Sequence, residues 1–224
     1  MSKLIDEFGK QLIDPGSTLI EMGIDSFIDN EIIKEIPFVN ILVGFSKAGI
    51  SIRDWYNAKK LLVFIKEFNS GEIDDKKLEK FKEKFESNTS FRTKVVEQVM
   101  IFNDRFITEE KSRISANLFK AYIEESISWE DFINLNVSLD ALHPGSFNYL
   151  HQWSKIDFEI PKSDLKSSVG FNDDPQSEAV LISAGLASVG SPFAQFVRIL
   201  DSGKQLFEYG IKPSRVTDTP ASKS

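Results

Sequence analysis

Apolar side chains recur at every third or fourth position through most of this 224-residue chain, which is the spacing of amphipathic α-helices. In the segment DDKKLEKFKEKFES, for example, Leu78, Phe81 and Phe85 fall on one face, and the charged residues predict a solvated face. The other predicted helices are one or two within 3–36 that break at DPGS, then about 37–68, 91–107, 109–125, 128–142, 147–153, 174–185, and one from Ser191 to before Gly203.

Local capping signals support the boundaries of two of these helices. Ser128 followed by Asp131 three residues later resembles a capping box, in which each side chain satisfies a free backbone N–H group. Asp174 stands before Pro175, and proline is favoured at the first helical position because its missing N–H is not needed there. Gly185 is then the predicted end of that helix.

Strand signals are few. The alternation of Ile156, Phe158 and Ile160, closed by Pro161, is the one credible strand. The residues LASV after Gly185 predict a short extended piece. We therefore expect a nearly all-α fold with one or two short strands at most.

The composition changes at two places and predicts the domain organisation. Residues 162–174 are rich in Ser, Lys, Asp and Gly, which predicts a loop or hinge. The residues after Lys212 are rich in Ser, Thr and Pro and have little to bury. We predict a main helical domain over 1–155, a small C-terminal helical unit over 156–211 and a disordered tail over 212–224.

Two long apolar runs raise the question of a membrane segment. The first begins at Ile36 and reaches at most sixteen residues before Arg53, with Lys47 inside it, whereas a spanning helix needs about 20 apolar residues. The second, residues 179–197, is divided by glycine and proline. We predict a largely buried central helix for the first run, in which Gly44, Ala48 and Gly49 let a neighbouring helix approach closely.

The charge and residue usage narrow the functional classes. The formal net charge is −7, so nucleic-acid binding has no global electrostatic support, and the helix PQSEAVLISA has no cation with which to read DNA. The chain has no cysteine and two histidines, His143 and His151, which lie eight positions apart. This spacing predicts no metal site and no metal cofactor. The acidic start MSKLIDEFGKQL does not resemble a signal peptide.

No catalytic motif is recognisable in the sequence. Gly-rich phosphate loops and a G-x-S-x-G serine motif are absent, and the acidic pairs such as Glu124 and Glu125 are adjacent, so they point to different helix faces. We predict no cofactor and no catalytic residue. The polar residues that interrupt the first apolar run, Lys47, Arg53 and Asp54, form a candidate functional cluster, for which an ordinary ion pair or cap contact is the alternative interpretation.

A second candidate site lies in the C-terminal unit. Val180, Leu181, Ala184 and Leu186 are more apolar groups than a helix and turn of this size can hide among themselves. They therefore predict an interaction surface, which would pack on the main domain, on a second copy or on a different protein. We expect a homo-oligomer, most simply a homodimer.

The residues I-P-x-x-N, S-I-R-D and K-K-x-x-x-F, in that order, resemble the pattern of a family of uncharacterised bacterial proteins. The matching positions here are Ile36, Pro37, Asn40, Ser51, Ile52, Arg53, Asp54, Lys59, Lys60 and Phe64. The resemblance implies a small winged-helix-like C-terminal unit, where LISAGL and SPFA occupy the places of the turn and helix start. It implies no activity and no catalytic residue.

These observations favour a non-enzymatic interaction or regulatory protein of the cytoplasm, with another protein or itself as partner. The alternative is a membrane-active effector, pore-forming or peripheral, for example in bacterial self-defence. An enzyme without a recognisable motif is the third hypothesis, and its pocket would be built from residues distant in sequence.

Overall fold

The structure, a computed structural model, describes residues 2–15, 52–70, 72–155, 172–189 and 197–217. In this part of the chain the predicted nearly all-α fold is confirmed. The helices are α1 (Ser2–Ile13), α2 (Ile52–Ser70), α3 (Asp75–Ser87), α4 (Thr89–Arg105), α5 (Glu109–Ile123), α6 (Trp129–Ala141), α7 (Pro144–Ser154), α8 (Pro175–Ser183), α9 (Asp201–Gln205), a π-helical segment (Leu206–Ile211) and α10 (Lys212–Thr217). Two strands, β1 (Ala187–Val189) and β2 (Val197–Ile199), complete the described elements.

The chain divides into two compact units, Met1–Ser126 and Ile127–Ser224. This division differs from the boundary that the sequence predicts after residue 155, because α7 packs against α8 and belongs with the C-terminal unit. The predicted domains concern independent folding, which compactness does not measure, so they stay a prediction.

Helix α2 packs along α5 at the centre of the N-terminal unit. The residues from Leu61 to Ile65 are all buried, so this part of α2 exposes almost no side-chain surface. Four phenylalanine rings meet there: Phe119 of α5 lies 5.9 Å from Phe64, 5.4 Å from Phe68 and 5.6 Å from Phe81, measured between ring centroids. Rings at these separations and tilts interact favourably beyond the area they bury.

The C-terminal unit begins with the predicted capping box, which is confirmed: the Ser128 hydroxyl accepts from the Asp131 backbone N–H, and the Asp131 carboxylate accepts from the Ser128 N–H. Asp174 caps α8 as predicted, accepting from the backbone N–H groups of Gln176 and Ser177. Gly185 adopts φ +72° just after α8, which is the left-handed conformation that glycine tolerates best at a helix C-terminus.

The two strands form an antiparallel hairpin in which Ser188 lies opposite Arg198. β1 confirms the extended piece predicted after Gly185. The predicted helix starting at Ser191 is wrong at Val197–Ile199, where the chain forms β2, because burial alternates there with period two: Val197 and Ile199 are buried and Arg198 is exposed. Residues 190–196 lie outside the described residues.

After the hairpin and Leu200, the chain forms one continuous helical stretch from Asp201 to Thr217, which contains the π-helical segment. The predicted disorder after Lys212 is therefore wrong for residues 212–217, because the preceding turns supply the nucleus that a new helix would need. Residues 218–224 lie outside the described residues, as do the predicted strand at 156–160 and the predicted helix before Ile52. The winged-helix-like unit is not confirmed.

Candidate functional site

A groove of about 300 Å³ opens between α2 and α4 in the N-terminal unit, and we call it the α2–α4 groove. Its apolar walls come from Leu61, Met100 and Ile101, and its polar walls from Asn57 together with the end of α4. Ile101 is 51% exposed although it is a large aliphatic residue. The groove is lined by Asn57, Leu61, Met100, Ile101, Asp104 and Arg105.

Asp104 organises the polar rim of this groove. Its carboxylate accepts from the Arg53 guanidinium at 3.1 Å and from the Asn57 side-chain amide at 2.6 Å. Arg53 and Asn57 are four positions apart on α2, so they lie on one face and reach the same carboxylate. The Arg53 side chain is 77% exposed, which keeps the stabilisation from this ion pair small and leaves the guanidinium accessible to other groups.

Lys60 lies one helical turn beyond Asn57 and is buried. Its ammonium donates to the carbonyl oxygen of Phe106 at 2.6 Å and to that of Asp104 at 3.3 Å. These carbonyls belong to the C-terminal end of α4, where the backbone has no helical N–H partner left and where a positive charge is favoured. Burial lowers the pKa of Lys60, and the nearby Asp104 carboxylate opposes that shift.

The structure describes two of the three residues of the predicted polar cluster. Arg53 lies on the rim of the groove, Asp54 is half-buried on α2 and does not line the groove, and Lys47 lies outside the described residues. Arg53, Asn57 and Lys60 all contact the C-terminal end of α4. This arrangement is close to the alternative interpretation of the cluster, which is an ordinary ion pair or cap contact.

The predicted interaction surface in the C-terminal unit is also placed. Leu181 and Leu186 are fully buried, whereas Val180 and Ala184 are half-buried. The two leucines are therefore already covered within the chain, and that surface stays a prediction. The large apolar residues that do stand exposed in the described part are Tyr56, Ile101, Ile107, Val137 and Val189.

Sequence reasoning missed Asp104 and Asn57. A usable signal was present on α2, since Arg53, Asn57 and Lys60 recur at positions i, i+4 and i+7 and form one polar stripe. No local signal identified Asp104 as their partner, because it is 51 positions from Arg53 in the sequence.

Both histidine side chains make contacts within the fold. His143 is the N-cap of α7, where its Nδ1 accepts from the Gly145 backbone N–H at 3.1 Å. His151 is half-buried and stacks on Phe207 with 5.7 Å between ring centroids. Within the described ranges, no three acidic or histidine side chains are placed to hold a metal ion. None of the helices among these residues has the length and apolar character that crossing a membrane requires.

Comparisons with protein-family models, with curated proteins and with solved structures found no match. The resemblance to a family of uncharacterised bacterial proteins therefore stays a prediction.

Proposed function

We propose that this chain is a non-enzymatic interaction or regulatory protein of the cytoplasm, and that the α2–α4 groove binds another protein chain. The observation that carries this proposal is the exposure of Ile101 in an apolar groove edged by charged groups. A small apolar centre surrounded by a polar rim is the usual composition of a protein–protein contact. The lack of cysteine in the sequence suits a reducing cytoplasm.

The partner that fits this groove best is a second copy of the chain. The rim carries charges of both signs, with Arg53 and Asp104 3.1 Å apart and Arg105 beside them. In a two-fold dimer each surface meets itself reversed, so with the axis beside Ile101 the exposed Arg53 of one copy can turn toward Asp104 of the other. Because both signs are present, the rim complements itself, while Ile101 of each copy packs at the centre.

Light scattering over a hundredfold dilution tests the dimer. The wild-type protein should approach about twice the chain mass of 25.4 kDa at high concentration and dissociate on dilution, as mass action requires. Ile101→Glu should remain a monomer, since it places a charge at the centre of the contact. Val137→Glu is the matched control, because Val137 is 50% exposed in the C-terminal unit and lies outside the groove.

A charge exchange makes the test specific for the rim. Arg53→Glu should weaken association, because the new carboxylate meets Asp104, and the double change Arg53→Glu with Asp104→Arg should restore it. A wild-type protein that is a monomer at every concentration would refute the dimer. An Ile101→Glu protein that still forms dimers would show that the groove is not the contact.

A further inference from the structure

A second and smaller pocket in the N-terminal unit lies between α3, the start of α4 and the end of α5, and we call it the lysine–aromatic pocket. Its volume is about 170 Å³. Pockets for drug-sized ligands are typically about 300 Å³ or larger, so this one has room only for a single ring or a group of similar size. It does not share a residue with the α2–α4 groove.

Three lysines of α3, Lys77, Lys80 and Lys84, line the mouth of this pocket. Their spacing of i, i+3 and i+7 places them on one helix face, and Glu79, Glu83 and Glu86 lie outside that face. Lys76 and Lys82 also lie outside it, so the face of the three lysines is positive while the rest of α3 is mixed in charge. With Glu125 as the acidic lining residue, three ammonium groups stand against one carboxylate, which makes the pocket locally positive in a chain of net charge −7.

The floor of the pocket is aromatic. The rings of Phe81 and Phe91 meet edge to face at 5.9 Å, and the half-buried Tyr122 lies beside them with the aliphatic Ile123. A planar ring bound here would gain the same kind of contact that these rings make with one another. The floor therefore favours an aromatic ligand, and the lysines favour one with a negative charge.

The three lysine ammonium groups have different partners within the chain. Lys77 donates to the Glu124 carbonyl at the end of α5, and Lys80 pairs with the Glu125 carboxylate at 2.9 Å. Lys84 lies 4.3 Å from the centre of the Phe91 ring and forms no ion pair within the described part of the chain. An ammonium group beside an aromatic surface retains its attraction for an anion, because the ring neutralises none of its charge.

The Glu125 carboxylate occupies a place beside Lys80 that the carboxylate of a ligand could take. The φ of Glu125 is +58°, a left-handed conformation in which a non-glycine residue is uncommon, at the C-terminal end of α5. Its contact with Lys80 joins two exposed side chains, 61% and 75% accessible, so solvent or another anion can displace it easily. A ligand carboxylate would meet Lys84 first and would then compete with Glu125 for Lys80.

We propose that the lysine–aromatic pocket binds a small aromatic monoanion, a single ring that carries a carboxylate. The ring lies on Phe81 and Phe91, and the carboxylate pairs with Lys84 and Lys80. This inference goes beyond the proposed function and does not depend on it, because the pocket and the groove use different residues.

Fluorine NMR with 4-fluorobenzoate as the probe tests this site on the full chain. The probe should bind the wild-type protein more tightly than 4-fluorobenzamide, which lacks the charge, and more tightly than trifluoroacetate, which lacks the ring. Lys84→Gln should weaken 4-fluorobenzoate binding about fivefold, as the loss of one partly desolvated charge contact implies. Glu125→Gln should strengthen binding, because it removes the competing carboxylate.

Lys76→Gln is the matched control, since Lys76 is exposed on the same helix, loses the same charge and does not line the pocket. Circular dichroism should show that all three variants keep the helical content. Equal binding of the benzoate and the benzamide, or equal effects of Lys76→Gln and Lys84→Gln, would overturn the proposal. So would the absence of binding up to about 10 mM, well above the 1 mM dissociation constant of a weak site.

Discussion

Large rings fill the centre of the N-terminal unit, whereas the hairpin region of the C-terminal unit depends on backbone that approaches backbone. Around Phe119 three further phenylalanine rings lie within 6 Å between centroids. At Gly203, the Cβ atom of any other residue would stand 2.5 Å from the Leu186 carbonyl oxygen. The first arrangement tolerates small shifts but loses much when a ring is removed, and the second leaves no room for a side chain larger than a hydrogen atom.

The comparison predicts that truncating a central ring has the largest effect. Phe119→Ala should lower the free energy of unfolding by about 3–5 kcal/mol, because the fully buried ring leaves a cavity among its three neighbours. Ile107→Ala is the control, since Ile107 is 67% exposed and should change stability by no more than about 0.5 kcal/mol. Urea denaturation followed by circular dichroism measures both. Equal losses in the two variants would contradict the central role of the rings.

Two glycines of the C-terminal unit separate steric from conformational effects. Gly203→Ala should cost about 1–3 kcal/mol, because the added carbon meets Leu186 and lies 2.7 Å from Ile199, even though alanine favours a helix. Gly185→Ala should cost about 1 kcal/mol, since it meets nothing within 4 Å and has only the φ of +72° against it.

Thermal unfolding measures the two alanine variants, and two asparagine variants in that experiment distinguish the steric cause from the conformational one. Gly185→Asn should be milder than Gly185→Ala, because asparagine tolerates the left-handed conformation. Gly203→Asn should be worse than Gly203→Ala, because it is larger. A stabilised Gly203→Ala protein would show that the close approach at Leu186 relaxes at little cost.

Lys60 sharpens the comparison, because it places a charged group in the unit of large rings. Lys60→Met should cost about 1 kcal/mol at neutral pH, since it keeps the apolar stem but leaves the Phe106 carbonyl without its donor. Burial holds the pKa of Lys60 in the folded chain below its ordinary value of 10.5, so the unfolded chain binds more protons between those two values.

The stability of the wild-type protein should therefore gain a contribution from Lys60 as the pH rises through that window and lose it as the pH falls. The deficit of Lys60→Met relative to wild type should be larger at pH 10.5 than at neutral pH. Denaturant titrations of both proteins across this range measure the difference. A deficit that stays constant or shrinks as the pH rises would contradict the assigned cause.

Much of the helical pattern was predictable, because its signals are local. The amphipathic stripe of α3, the Ser128 capping box and the Asp174 cap each involve residues within a few positions of one another. For the candidate site, Arg53 was singled out because it interrupts an apolar run. Its partner Asp104 was not, since nothing near either residue in sequence indicates their contact.

The sequence alone determined where amphipathic helices form, how several of them begin and end, and that the fold is nearly all-α, because periodicity and capping act over one or two turns of chain. Only the tertiary structure decided that Val197–Ile199 pairs with Ala187–Val189 as a strand, that Arg53 and Asn57 converge on Asp104, and that Lys84 stands beside Phe91 at the mouth of a pocket. The physical reason is that these features depend on packing between elements, where the energy of a contact is realised only after distant segments have been brought together.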